Sequence, residues 1–204
     1  MNAPEKRRRG RPREYNADSA LARAEYTFWK RGYAGTSLDD LAAATGMNRP
    51  SLYAAFGDKR SLYLKTLERY RDQARAKSKE LLADDPPLRV YLERFYEAAL
   101  DIYFAGPKPA RGCYSIGTAA TEAAVDPAVR TFLADSIRNT DAFLAGVIRR
   151  ARDRKEIAAN CDPNALAGIA TATLHTLAVR SRAGHSRKEL SALAAAAIEA
   201  ICRR

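Results

Sequence analysis

The stretch from Thr36 to Lys59 constrains this chain more than any other. It reads as two short helices joined by a tight turn, with a start or stop signal at each end. Ser37 is placed to cap the first helix, with Asp40 three residues on as the acid of a capping box. Leu38 and Leu41, three apart, face inward together. Gly46 suits the left-handed residue that closes a helix. Asn48 caps the second helix, and Pro50 is tolerated because first-turn amides have no helical partner. Leu52 and Phe56 share a face that packs on the first helix, leaving Arg49, Ser51 and Tyr53 to point elsewhere. Gly57 stops the second helix, and Asp58 caps a third beginning near Lys59. A pair of this kind, with a polar, basic second helix, has the geometry that puts one helix into a DNA major groove. An ordinary helical hairpin with a solvated polar face shares the local pattern, so the flanking sequence must decide.

The flanks are basic. The 204 residues carry a formal net charge of +11, consistent with an anionic partner. Residues 1–80 hold 18 Lys/Arg against 10 Asp/Glu, and the remainder 17 against 14, so the half with the helix pair carries most of the excess. Phosphate attraction requires that bias. The densest run lies in residues 6–13, where Arg7, Arg8, Arg9 and Arg11 are followed by Pro12 and Arg13. It has no apolar segment, so it reads neither as a signal peptide nor as a membrane anchor. Gly10 and Pro12 oppose a stable helix there, and a flexible basic arm (residues 1–16) reaching phosphates or a minor groove is the functional reading. A composition of 47% hydrophobic and 29% charged residues belongs to a globular chain. No apolar run is long enough for a membrane span, and the expected location is the cytoplasm.

Elsewhere apolar residues recur at three and four rather than two, so the expected fold is all-α. Asp18 is the expected cap of a helix running to about Arg31, with Leu21, Ala24 and Phe28 on one face and Gly32 past its end. This helix and the pair make a three-helix module over 17–58. A connecting helix over 59–82 carries the stripe Tyr63, Leu67, Tyr70 and Ala74, and a charged face from Arg69 to Lys79. Asp84-Asp85-Pro86-Pro87 breaks it and begins a second unit, 83–204. That unit reads as helices near 87–105, 112–124, 127–153, 163–182 and 186–202, with Pro127 and Pro163 just inside two starts.

At this point the sequence resembles the tetracycline-repressor (TetR) family of bacterial transcription regulators. Phe28, Gly32-Tyr33, Thr36-Ser37, Leu41-Ala42, Gly46, Ser51-Leu52-Tyr53, Phe56, Lys59 and Leu62 stand at that family's pattern positions. Arg49-Pro50 departs from the small or polar residues more often found there, so no operator sequence carries over. The resemblance implies an all-helical homodimer, with an N-terminal helix-turn-helix domain that reads double-stranded operator DNA and a C-terminal domain that binds a small effector. Thr36, Ser37, Tyr53 and Lys59 match phosphate-contacting positions. Asn48, Arg49 and Ser51 match positions that reach base edges, and Arg49 is the leading base reader because a guanidinium pairs bidentately with guanine. Effector binding would shift the population towards a state whose two recognition helices are wrongly spaced, releasing the repressor.

An effector pocket needs apolar walls and a few polar groups. Phe95, Tyr96, Tyr103, Cys113, Tyr114, Thr118, Phe143 and His175 are the candidates, against the plainer reading of an aromatic core. Cys113, at an expected helix start beyond a Pro/Gly-rich loop, raises the alternative of a thiol-based redox or electrophile sensor. Its rival reading is a small buried hydrophobe. Two helical faces are candidates for the dimer interface. One comprises Leu166, Ile169, Ala170, Thr173, Leu174 and Leu177; the other comprises Leu190, Leu193, Ala194, Ala197, Ile198 and Ile201. Burial of both faces within one chain is the rival, and the family resemblance favours the dimer. Neither a metal nor a cofactor is expected: His175 and His185 have no ligand spacing to a cysteine, and no Gly-rich phosphate loop follows a strand. A helical enzyme for an anionic substrate and a nonspecific DNA-packaging protein are the rivals from other classes. The first lacks a catalytic constellation, and the second needs neither a capped recognition helix nor a large aromatic second unit.

Overall fold

The computed structural model describes residues 16–106 and 110–203, so the basic arm with Arg7, Arg8, Arg9 and Arg11 lies outside the described residues. The described residues are all-α, in the order α1 (Ala17–Arg31), α2 (Leu38–Thr45), α3 (Arg49–Phe56), α4 (Lys59–Glu80), α5 (Leu88–Phe104), a π-helical turn (Ser115–Ala119) running into the short α6 (Ala120–Glu122), α7 (Pro127–Asp153), α8 (Pro163–Arg182) and α9 (Arg187–Ile201).

Local chemistry sets most of these boundaries. Ser37 and Asp40 form a reciprocal capping box at α2, Asn48 and Asp58 accept amide hydrogens at the starts of α3 and α4, and Gly46 closes α2 at φ +72°. Asp126 and Asp162 cap α7 and α8, each with a proline in the first turn. Two expectations are corrected. Asn16, not Asp18, caps α1, accepting from the Ser19 amide at 3.2 Å. Asp18 lies within the first turn, where an acid favours the helix dipole. The helix expected over 112–124 is instead non-helical backbone at 111–113 followed by the π turn. Gly112 at φ +66° lies so close to α8 that a Cβ there would stand 2.5 Å from the Ala178 carbonyl oxygen. That approach denies the chain a helix at this point.

The helices bury two cores. The first joins α1 to α4 through Ala24, Phe28, Trp29, Leu41, Leu52, Phe56, Leu62, Tyr63 and Leu67, and takes in Tyr114, Ala119, Ala123, Val129 and Phe132 from beyond the Asp84–Pro87 break. The second packs α5 against the later part of α7 and against α8 and α9. The first core therefore extends across the break in sequence. Its hydroxyls are paired: Tyr63 donates to Thr118 Oγ1 at 2.7 Å, and Tyr114 and Thr66 share a bond of 2.7 Å. Buried polar groups survive only with such partners.

The second core corrects the interface faces. Ala170, Leu177, Leu190, Ala194, Ile198 and Ile201 are buried in the chain's own core, and Leu166, Leu174 and Leu193 pack against it. The buried members of those stripes face α5, α7 and each other within one chain, while Leu166, Leu174 and Leu193 keep part of their surface exposed. Ile169 is 49% exposed, and Thr173 and Ala197 are half-buried. The outer side of α8 presents Ile169, Ala172 and Val179, and that of α9 presents Ala192 and Ala196.

Candidate DNA-binding surface and effector cavity

Leu41 and Leu52 are buried between α1, α2 and α3, and Phe56 closes the same cluster. Anchored this way, α3 turns Asn48, Arg49, Ser51 and Tyr53 to solvent on one surface, with Tyr53 47% exposed. Arg49 rests in a fork with Asp39 of α2, its Nε donating to Oδ1 at 2.9 Å and its Nη2 to Oδ2 at 2.6 Å. Both side chains are more than half exposed. A solvated pair of this kind is easily exchanged for another acceptor. The pairing holds the Asp39 carboxyl below its ordinary range.

The expected phosphate contacts divide. Ser37 is exposed at the start of α2, with its hydroxyl engaged in the capping box. Lys59 is half-buried, its ammonium 4.3 Å from the centre of the Tyr33 ring, and burial pushes its pKa down while Glu122 opposes the shift. Thr36 is buried, and its hydroxyl donates to the Gly32 carbonyl at 2.7 Å. Its side chain braces the α1–α2 turn, which corrects its assignment as a phosphate contact.

A cavity of about 440 Å³ opens among α4, α5, the π turn, α7 and α8. It is mostly apolar, as small-molecule sites are. Of the residues named as pocket candidates, Phe95, Tyr103, Cys113, Phe143 and His175 line this cavity; Tyr96, Tyr114 and Thr118 do not. Tyr96 is buried and donates to the Ala170 carbonyl at 3.1 Å, while Tyr114 and Thr118 belong to the first core and its hydroxyl network. Tyr70, Arg71 and Arg75 of α4, which are not among the expected wall residues, also line the cavity. The signal was present: the stripe through Tyr70 and Ala74 continues beyond the part of α4 that packs in the first core.

Burial pushes the Cys113 thiol up, outweighing the lowering by the Ile116 and Ser115 amides and by the Tyr70 hydroxyl 3.5 Å away. A protonated thiol is neither a ready nucleophile nor a ready sensor, so the redox alternative is set aside. Burial likewise lowers the pKa of His175, with Asp141 opposing. Among the described residues no group of three His, Cys, Asp or Glu side chains is placed to hold a metal ion, and no helix is long and apolar enough to cross a membrane.

The surface and the cavity are joined through α4 and the segment from Arg111 to Thr118. The Arg111 guanidinium lies 4.6 Å from the Trp29 ring and 4.9 Å from that of Tyr26, while its carbonyl accepts from the Trp29 indole at 3.2 Å. Cys113 and Ile116 face the cavity, and Tyr114 and Ala119 are buried in the first core. Arg60 of α4 binds both oxygens of Asp126 at the start of α7, at 2.5 and 2.8 Å.

A family model described as bacterial regulatory proteins of the tetR family matches residues 20–66, and one for the tetracyclin repressor-like C-terminal domain matches residues 90–197. The chain belongs to the TetR family. It is 30% identical to the HTH-type transcriptional repressor ComR of Escherichia coli K12 over 190 residues, covering 93% of this chain and 90% of ComR. The HTH-type transcriptional repressor BdcR, also from E. coli K12, is 27% identical over 94% of this chain and 92% of its own length. Among solved structures it resembles the TetR-family regulator CifR, a cysteine mutant bound to a 26-base-pair operator DNA. That match has a TM-score of 0.80 and 31% identity, and covers 93% of this chain and 99% of CifR. As a TetR-family member, the chain is a helix-turn-helix transcription regulator that binds operator DNA, not an enzyme.

Proposed function

We propose that the chain is a cytoplasmic, homodimeric repressor that leaves a palindromic operator when a small organic effector enters the cavity. Residues 17–58 would read DNA, 59–82 connect, and 83–204 bind effector and partner. The observation that carries the reading is continuity: α4 begins at Lys59 beside the exposed face of α3 and supplies a wall of the cavity further along. A ligand that binds one setting of α4 better than another shifts the spacing of two recognition helices by that difference in affinity. Arg49 is assigned to base edges with Asn48 and Ser51, and Ser37, Tyr53, Lys59 and the basic arm to phosphates. The exposed Ile169, Ala172, Val179, Ala192 and Ala196 supply an apolar, close-packing face for a second copy.

Footprinting on genomic fragments at moderate salt tests the reading, together with sedimentation of the free protein. Discrete protected palindromes and a dimer that dissociates in Val179→Asp support it; uniform coating of DNA, or a stable monomer that still protects palindromes, overturns it.

A further inference from the structure

The cavity wall formed by α4 carries charge of one sign. Arg71, Arg75 and Lys77 line the cavity, and no Asp or Glu does. Lys77 is paired with Glu80 at 2.7 Å, and Arg71 with its neighbour Asp72 at 3.1 Å, while the Arg71 guanidinium also lies 5.2 Å from the Phe132 ring. Arg75 makes no ion pair among the described residues. A carboxylate of α7, Asp141, sits in sequence between the lining residues Thr140 and Ala142 without lining the cavity itself, and its Oδ1 is buried without a hydrogen-bond partner. Its electrostatic partner is His175. The remaining walls are largely hydrocarbon and aromatic, from Phe95, Ile102, Ile116 and Phe143.

We infer that this cavity takes an amphipathic organic anion, an aryl or medium-chain acyl acid whose apolar body fills the aromatic end and whose headgroup pairs with Arg75. The inference rests on the proposed effector role and adds the chemical class. Arg75 is exposed and Arg71 half-buried, so the cationic groups stand on the solvent-facing side of the cavity; there a carboxylate or phosphate is met by charge-assisted, bidentate hydrogen bonds. A cationic ligand would meet like charge at Arg71, Arg75 and Lys77 with no lining carboxylate to receive it. The volume of about 440 Å³ admits a single organic molecule of modest size. Because Arg71 and Arg75 stand on α4, the headgroup would hold the helix that begins at the DNA-reading end.

The test uses the full-length dimer, thermal shift and calorimetry. The probes are octanoate, octyl phosphate, octanol and octylamine, then the same four headgroups on a biphenylmethyl body. At least one acid should raise the melting temperature and bind about tenfold or more tightly than its matched alcohol, with the amine weakest. Arg75→Gln should remove about that tenfold advantage and leave the alcohol's affinity unchanged. Whichever of carboxylate and phosphate is tighter names the headgroup, and either result supports the inference. It is overturned if alcohol and acid bind equally, if the amine binds best, if the acid preference survives in the Arg71→Gln, Arg75→Gln double variant, or if no acid of either series binds. Operator affinity with and without the bound acid is measured separately. An acid that binds through Arg75 and leaves operator affinity unchanged upholds the anion site and overturns the effector role.

Discussion

The junction beneath the DNA-reading helices and the cavity beside it both use tyrosine, to opposite ends. At the junction, Tyr63 and Tyr114 meet edge-on at 6.3 Å, Tyr70 and Tyr114 at 5.6 Å, and the Tyr63 and Tyr114 hydroxyls have threonine partners at 2.7 Å. At the cavity the bonding is weaker: Tyr103 reaches the Leu174 carbonyl only at 3.5 Å, and Tyr70 has the sulfur of Cys113, a weak partner, at 3.5 Å. Satisfied buried networks specify one arrangement, whereas a loosely bonded wall leaves room for another. Tyr70 belongs to both regions, edge-on to Trp29 at 5.4 Å and exposed to the cavity. Under the proposed effector role, a ligand would act on the loose wall, and the tight junction would carry the change to α1 and α4 as a unit.

Deleting a ring breaks the comparison most severely. Tyr114→Ala removes a fully buried side chain and a hydroxyl partner of Thr66, and should cost about 3–5 kcal/mol in urea unfolding. Phe143→Ala, at a half-buried ring of the cavity wall, should cost well under half as much. Equal losses would mean that the two regions are packed alike.

Next in size is a pair of DNA measurements that separate the reading face from the structure beneath it. Arg49→Ala should weaken operator binding by about tenfold to a hundredfold, relax specificity at one position, and leave the melting temperature unchanged. Lys59→Ala should weaken operator and random DNA alike and lower the salt slope by about one. If Arg49→Ala affects both DNAs equally, base reading passes to another residue of α3.

The same contrast explains what could be read from the chain alone. The DNA-reading end is specified by neighbours: Ser37 with Asp40, Asn48 with the Ser51 amide, Asp58 with the Ser61 amide, and Gly46 at positive φ. Each signal spans four residues or fewer, so the sequence displays it. The π turn had no such signal, because its register answers to Gly112 against α8 and Tyr114 against Thr66, far apart in the chain. The faces of α8 were ambiguous for a different reason. Both sides are small or apolar, with Ala170 and Leu177 inside and Ile169, Ala172 and Val179 outside. Periodicity marks a stripe only where the opposite face is polar. The charged face of α4 gives no sign in the sequence of the cavity beside it, because the facing residues of α5, α7 and α8 lie beyond the Asp84–Pro87 break.

A smaller effect tests whether the hydroxyls themselves make the junction tight. Tyr114→Phe keeps the ring and removes a bond of 2.7 Å, and should cost about 1 kcal/mol. Tyr103→Phe removes only the 3.5 Å contact and should be close to neutral. Similar costs would remove hydrogen bonding as the distinction and leave ring packing alone.

The weakest tie across the junction is the Arg60–Asp126 pair, and pH isolates it. The Arg60 bond, joined by the Val129 and Ala128 amides, lowers the Asp126 pKa from 3.8 to about 2. A carboxyl depressed on folding contributes its stability above its unfolded value and loses it as pH falls through the folded one. The contribution should therefore be complete above about pH 4 and fade towards about pH 2. Asp126→Asn still offers a side-chain oxygen to cap α7, so the variant removes mainly the charge. Its melting temperature should lie about 2 °C below that of the parent between pH 5 and 7, with the gap closing below pH 4. A gap that persists unchanged into acid would assign the loss to the cap, and the two halves would then be joined by the aromatic network without help from this charge.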